Sequence, residues 1–143
     1  MVSKKKHLLA GFVLLILLGL GLWAANWQGA KPHLIHQVAC PNLQQACQFV
    51  IGNETYVIRA NQAISTTKPF QVLLSAKAGR VRGRWEMLGM AMGPNEYRFQ
   101  SADGLNWQAN MALPLCTEAR HDWLLVLEID QSTVQIKTSS KIN

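Results

Sequence analysis

The chain has 143 residues, 49% of them hydrophobic, and carries a formal net charge of +6. That length holds one domain of ordinary size beside a terminal segment. Lys4, Lys5 and Lys6 supply three of the positive charges, and from Asn26 onward eleven Lys/Arg stand against eight Asp/Glu, a net of +3; with no groove-reading motif and no aromatic platforms among the basic residues, nucleic acid is excluded as a partner.

The three lysines precede an uncharged apolar run over residues 8–25, closed by Trp23 and Trp27. At a helix rise of about 1.5 Å per residue the run matches a hydrocarbon core. Lysines on one side put the N-terminus in the cytoplasm, and the two tryptophans suit the far interface. The partner implied first is therefore the lipid bilayer: a single-pass anchor in the inner (cytoplasmic) membrane, with the C-terminal domain periplasmic or extracellular. The competing reading is a cleaved signal peptide. Cuts after Ala24, Ala25 or Ala30 would place Leu22, Trp23 or Gln28 three residues before the cut, where small residues are needed, so a retained anchor is favoured.

Residues 1–27 thus form a basic stub and anchor, 28–38 a linker with Gly29 and Pro32, and 39–143 an exported domain. Its punctuation is all-β. Short β-favouring runs at 48–51 and 55–59 flank Gly52-Asn53-Glu54, a hairpin signal. Pro69 opens a buried-strand run at 70–76. Arg84, Glu86 and Leu88 alternate with Trp85, Met87 and Gly89. Gly93-Pro94-Asn95 turns into 96–100, with Tyr97 and Phe99 on one face. Ala102-Asp103-Gly104 leads into 106–113, where Trp107, Ala109, Met111 and Leu113 share a side. A connection over 114–122 precedes strands at 123–129 and 133–138. Seven or eight short strands and no amphipathic helix after the anchor predict a small immunoglobulin-like antiparallel sandwich preceded by one transmembrane helix. The basic residues Lys77, Arg80, Arg82, Arg84 and Arg98 read as solvated strand faces and turns, with a patch for lipid headgroups or an acidic partner as the alternative.

All three cysteines, Cys40, Cys47 and Cys116, fall in the exported part. An oxidising compartment favours one disulfide. Cys40 and Cys47 would close a short loop at the start of the domain; pairing of Cys116 with either remains open. The odd thiol is a buried inert group, an intermolecular partner, a metal ligand or half of a redox pair.

Met87, Met90 and Met92 lie within six residues, with Gly89 before Met90 and Gly93 after Met92. Thioether and thiolate sulfur favour Cu(I) over hard cations. In extended chain Met90 and Met92 point to one face, so they are the candidate metal ligands, with Cys116 as a third and Cu(I) as the candidate cofactor. Core packing is the competing role, and Met87 and Met111 read as inward-facing strand residues. His33 and His36 fall in the linker and His121 beside Asp122, none at a metal-ligand spacing. No nucleophile–base arrangement or nucleotide loop is present, so no catalytic residue is assigned and the chain does not read as an enzyme.

The order Pro69-Phe70-Gln71-Val72, residues 85–93, Gly104-Leu105-Asn106-Trp107-Gln108-Ala109, Leu113-Pro114-Leu115-Cys116 and Asp122-Trp123-Leu124 resembles the YtkA-like and FixH-like membrane-anchored extracytoplasmic domains over about residues 69–130. The resemblance implies an immunoglobulin-like sandwich and an accessory role in copper handling or terminal-oxidase assembly beside a membrane protein complex. The alternative is a structural or protein-interaction module of such a complex, without a metal.

Overall fold

The computed structural model describes Ile16 and residues 18–21, 35–87, 89–90, 92–115 and 121–140. The chain divides into two compact units, Met1–Pro32 and His33–Asn143. In the first, Ile16 and residues 18–21 are helical; the rest of the expected membrane span 8–25, and the three lysines before it, lie outside the described residues. Among the described residues no helix is long and apolar enough to cross a membrane.

Among the described residues the second unit has nine strands: β1 (Ile35–Ala39), β2 (Cys47–Ile51), β3 (Glu54–Ala60), β4 (Phe70–Ser75), β5 (Val81–Glu86), β6 (Glu96–Arg98), β7 (Asn106–Met111), β8 (Asp122–Ile129) and β9 (Ser132–Ser139). They form a five-stranded sheet in the order β1-β9-β8-β5-β6 and a four-stranded sheet in the order β2-β3-β4-β7. The two-residue side-chain period decides which face each strand buries. On β7, Trp107, Ala109 and Met111 are buried while Asn106, Gln108 and Asn110 face solvent. On β5, Val81, Gly83 and Trp85 go inward and Arg82, Arg84 and Glu86 outward. β8, with a strand on either side, is buried from Trp123 to Leu127. The inner faces meet in one apolar core, in which the Trp85 ring packs edge-on against Phe70 (centroids 5.8 Å) and Trp123 (6.4 Å). An all-β, two-sheet, sandwich-like architecture is therefore what the alternation produces.

Several boundaries differ from the sequence reading. Residues 35–38, read as linker, belong to β1, which runs parallel to β9 from Ile35↔Thr133 to Ala39↔Lys137. The sandwich is thus not wholly antiparallel, and the described residues form nine strands where seven or eight were expected. A five-residue edge strand whose partner lies 98 positions away leaves little trace in local pattern. β5 starts at Val81, three residues before the alternation was evident, because its inward position 83 is a glycine. A Cβ there would lie 2.9 Å from Met111 Cε, 3.1 Å from Phe99 and 3.2 Å from Leu127; the two sheets close over this gap. β6 is short because the chain changes sheets: Phe99 N–H still donates to Val81 O (3.1 Å), whereas Gln100 exchanges two 2.9 Å backbone bonds with Gln108 of β7.

The ends of the sandwich are tied differently. At one end the segment after β1 crosses between the sheets: Cys40 N–H donates to Lys137 O (2.8 Å), and Leu43 O accepts from Ala60 N–H (2.6 Å). Cys40 and Cys47 stand at disulfide distance there, Cα atoms 6.1 Å apart, as the spacing suggested. Closing so short a loop is worth about 2–3 kcal/mol in the chain-entropy account. At the other end Asp130, at φ 52° in the β8–β9 turn, accepts from the N–H groups of Gly79 (3.0 Å) and Arg80 (2.9 Å). Nearby, Asp103 accepts from Asn106 N (2.7 Å), Asn106 Nδ2 (2.8 Å), Leu105 N (2.8 Å) and Ser101 Oγ (2.9 Å). These bonds, the Asn106 backbone N–H foremost, hold its carboxyl well below the usual carboxylate range.

Gly83→Ala is expected to destabilise the domain by about 1–3 kcal/mol through overpacking, read as a lowered midpoint in chemical denaturation. The depressed pKa of Asp103 gives a contribution present above about pH 4 and lost as pH falls below it. Asp103→Asn should accordingly flatten the fall of Tm between pH 4 and 2 relative to the wild type.

Candidate functional site

At the disulfide end, β5 runs out at Glu86 into the methionine segment. Met87 is buried (3% exposed) and bridges to Met90, whose N–H donates to Met87 O at 3.2 Å. Gly89, at φ 79°, takes the left-handed position of this tight turn, a conformation that costs other residues dearly. Leu88 and Ala91 lie outside the described residues.

The return of the chain is fixed by one side chain. Asn95 Oδ1 accepts from Trp85 N–H (2.6 Å), and its Nδ2 donates to Trp85 O (2.9 Å) and Gly93 O (2.9 Å). Asn95 thereby acts as a one-residue extension of β6, satisfying strand groups that would otherwise lack a ladder partner. Behind it, the Tyr97 hydroxyl donates to Ala112 O (2.9 Å) and accepts from Ala112 N–H (3.3 Å), tying β6 to the chain leaving β7.

The product is an open cleft of about 430 Å³ lined by Arg84, Trp85, Glu86, Met90, Met92 and residues 93–96. Met90 and Met92 are both half-buried and packed against the core edge. The charged members are cross-paired: Arg84 holds Glu86 (2.7 Å) and Glu128 (2.9 Å), and Arg82 holds Glu96 (3.0 Å). Burial pulls the Arg84 pKa down, and the hydrogen bonds and charges of Glu86 and Glu128 outweigh it, so the net shift is upward. These pairs are about a third to a half exposed, and each is worth no more than about 1 kcal/mol. Their consequence for the cleft is chemical: its carboxylates already face guanidinium groups, while two thioethers bring soft sulfur to the same wall.

Of the candidate metal ligands, Met90 and Met92 share this cleft, and Cys116 lies outside the described residues. Met111 is buried in the core (1% exposed), as its strand position implied. Among the described residues no group of three or more His, Cys, Asp or Glu is placed to hold a metal. His33 lies outside the described residues; His36 is on β1 rather than in a linker. His121 pairs through Nδ1 with Ser140 Oγ (3.2 Å). Sequence reasoning missed Asn95, read only as a turn residue; the signal available was an asparagine directly before an edge strand. Comparison with family models, curated proteins and solved structures finds no match.

Asn95→Ala leaves both backbone groups of Trp85 without the Asn95 amide. A loss of about 1–3 kcal/mol is expected, measured by urea unfolding followed through tryptophan emission.

Proposed function

We propose that the chain is a single-pass, extracytoplasmic accessory protein that holds Cu(I) at Met90 and Met92, with Cys116 as third ligand, and serves copper handling or terminal-oxidase assembly beside a membrane complex. The observation that carries this reading is the joint lining of one cleft by Met90 and Met92. Thioether sulfur matches a soft monovalent cation, and Cu(I) is the biological ion that best meets that description. The anchoring rests on the lysine-flanked apolar run at residues 8–25. The role is binding and hand-over, not catalysis.

An immunoglobulin-like identity for the sandwich is part of the same proposal. It is supported by the β5-β8-β9 order of one sheet, the β4-β7 neighbours of the other, and a fully buried tryptophan, Trp85, on β5. These match the C-F-G sheet, the B-E pair and the strand-C tryptophan of that fold. The resemblance to YtkA-like and FixH-like domains points the same way.

Titration of the full-length chain in detergent with Cu(I), under a competing chromophoric chelator, is expected to give one equivalent bound. Met90→Ala/Met92→Ala should weaken binding by at least about tenfold, or roughly 1.4 kcal/mol. Equal affinity of wild type and double variant removes the metal role.

A further inference from the structure

Four methionines stand among the described residues of the sandwich, and the fold divides them two and two. Met87 and Met111 are buried, 3% and 1% exposed. Met111 Cε closes over Gly83 so tightly that a Cβ there would lie 2.9 Å from it. Met90 and Met92 are half-buried and line the open cleft beside Glu86 and Asn95. A thioether has no proton to lose, so access of a small oxidant, not a pKa, governs which methionines react.

The loop that carries the exposed pair is shaped by main-chain and amide bonds. Met90 N–H donates to Met87 O (3.2 Å), and Gly89 takes the left-handed turn position at φ 79°. The Asn95 amide holds both backbone groups of Trp85 and the carbonyl of Gly93. None of these bonds uses a thioether. An oxygen added to Met90 or Met92 has the open cleft to enter and leaves the turn's bonds in place. The same oxygen on Met87 or Met111 would be a buried acceptor in an apolar core, which is costly. Oxidation also inverts the donor chemistry, because a thioether offers soft sulfur and a sulfoxide offers a hard oxygen.

We propose that Met90 and Met92 form a reversible oxidation site, at which a hydroperoxide turns the cleft wall from thioether to sulfoxide without unfolding the domain and thereby switches off Cu(I) binding. The copper consequence rests on the function proposed above; the site itself does not. In each step a sulfur lone pair attacks one peroxide oxygen. The S–O bond forms as the O–O bond breaks, and the hydrogen of the transferred oxygen passes to the departing hydroxide, which leaves as water. Sulfur is oxidised by two electrons and the peroxide is reduced by two. Methionine sulfoxide reductases, one for each sulfoxide epimer, reverse the change.

The test treats the full-length chain in detergent with hydrogen peroxide, after Cys116 has been capped as a mixed disulfide with a small thiol. Tandem mass spectrometry of its peptides is expected to show Met90 and Met92 oxidised about tenfold or more faster than Met87 and Met111. The Tm is expected to change by less than about 4 °C. Once the cap is removed, Cu(I) titration against a chromophoric chelator is expected to show affinity lowered by about tenfold or more, and reductase treatment to restore it. Comparable rates at all four methionines, or a larger fall in Tm, overturn the site. Copper affinity that oxidation leaves unchanged, or that the reductases do not restore, overturns the switch. An untreated chain that binds no Cu(I) refutes the function proposed above and the switch with it, while the oxidation map and the Tm still decide the site.

Discussion

The structure depends on Trp85. Its side chain is fully buried and joins the two sheets through edge-on contacts with Phe70 of one and Trp123 of the other. Its backbone N–H and C=O are both held by Asn95. Its chain neighbours Arg84 and Glu86 point the opposite way and form the ion pairs of the outer face. A strand residue has only two faces and one pair of backbone groups, and here each is committed: the indole to the core, the amide to the methionine loop, the flanking residues to the surface. A shift of β5 by one residue would turn all of these over together. Register in this strand therefore decides core and cleft at once.

The same constraint explains Gly83, two residues before. Inward positions of β5 alternate with outward ones, so Gly83 falls under Met111, Phe99 and Leu127. A strand normally gains from a β-branched residue at such a site. Here the large partners are Met111 of the opposing sheet, Phe99 just after β6 and Leu127, the cross-strand neighbour on β8, and glycine is what lets them close. The wide Trp85 and the absent side chain at 83 are complementary halves of one packing solution.

Much of this was legible. Alternation located β7 and β9 because each has one buried face, β8 was legible as a continuous apolar run, and Gly52-Asn53 marked the β2–β3 turn between Ile51 and Glu54. The cysteine spacing suggested the Cys40–Cys47 pair. β1 was not legible: its partner is distant and parallel, so no hairpin turn announces it. Nor was the clamp at Asn95, since an asparagine after Gly-Pro looks like turn chemistry whether or not its amide substitutes for a strand. For the cleft, periodicity placed Met90 and Met92 on a common side; it was silent about the carboxylates beside them. Glu86 is local, whereas Glu96 and Glu128 reach the outer face only through the β5–β6 and β5–β8 pairings.

That placement bears on what the cleft can hold. An open wall with two unpaired carboxylates beside two thioethers would attract hard and borderline divalent cations by charge alone. Cross-strand arginines change the balance: Arg82 lies opposite Arg98 and within 3.0 Å of Glu96, and Arg84 opposite Glu96 and bonded to Glu86 and Glu128. A divalent ion would have to displace guanidinium groups that are already well solvated and hydrogen-bonded. A soft monovalent ion bound through sulfur makes no such demand, because its bonding is to polarisable lone pairs and its charge is small. On the proposed copper reading, the ion-paired face would favour a soft ion by removing competing carboxylate donors, and the methionines would not have to outbid charged ligands.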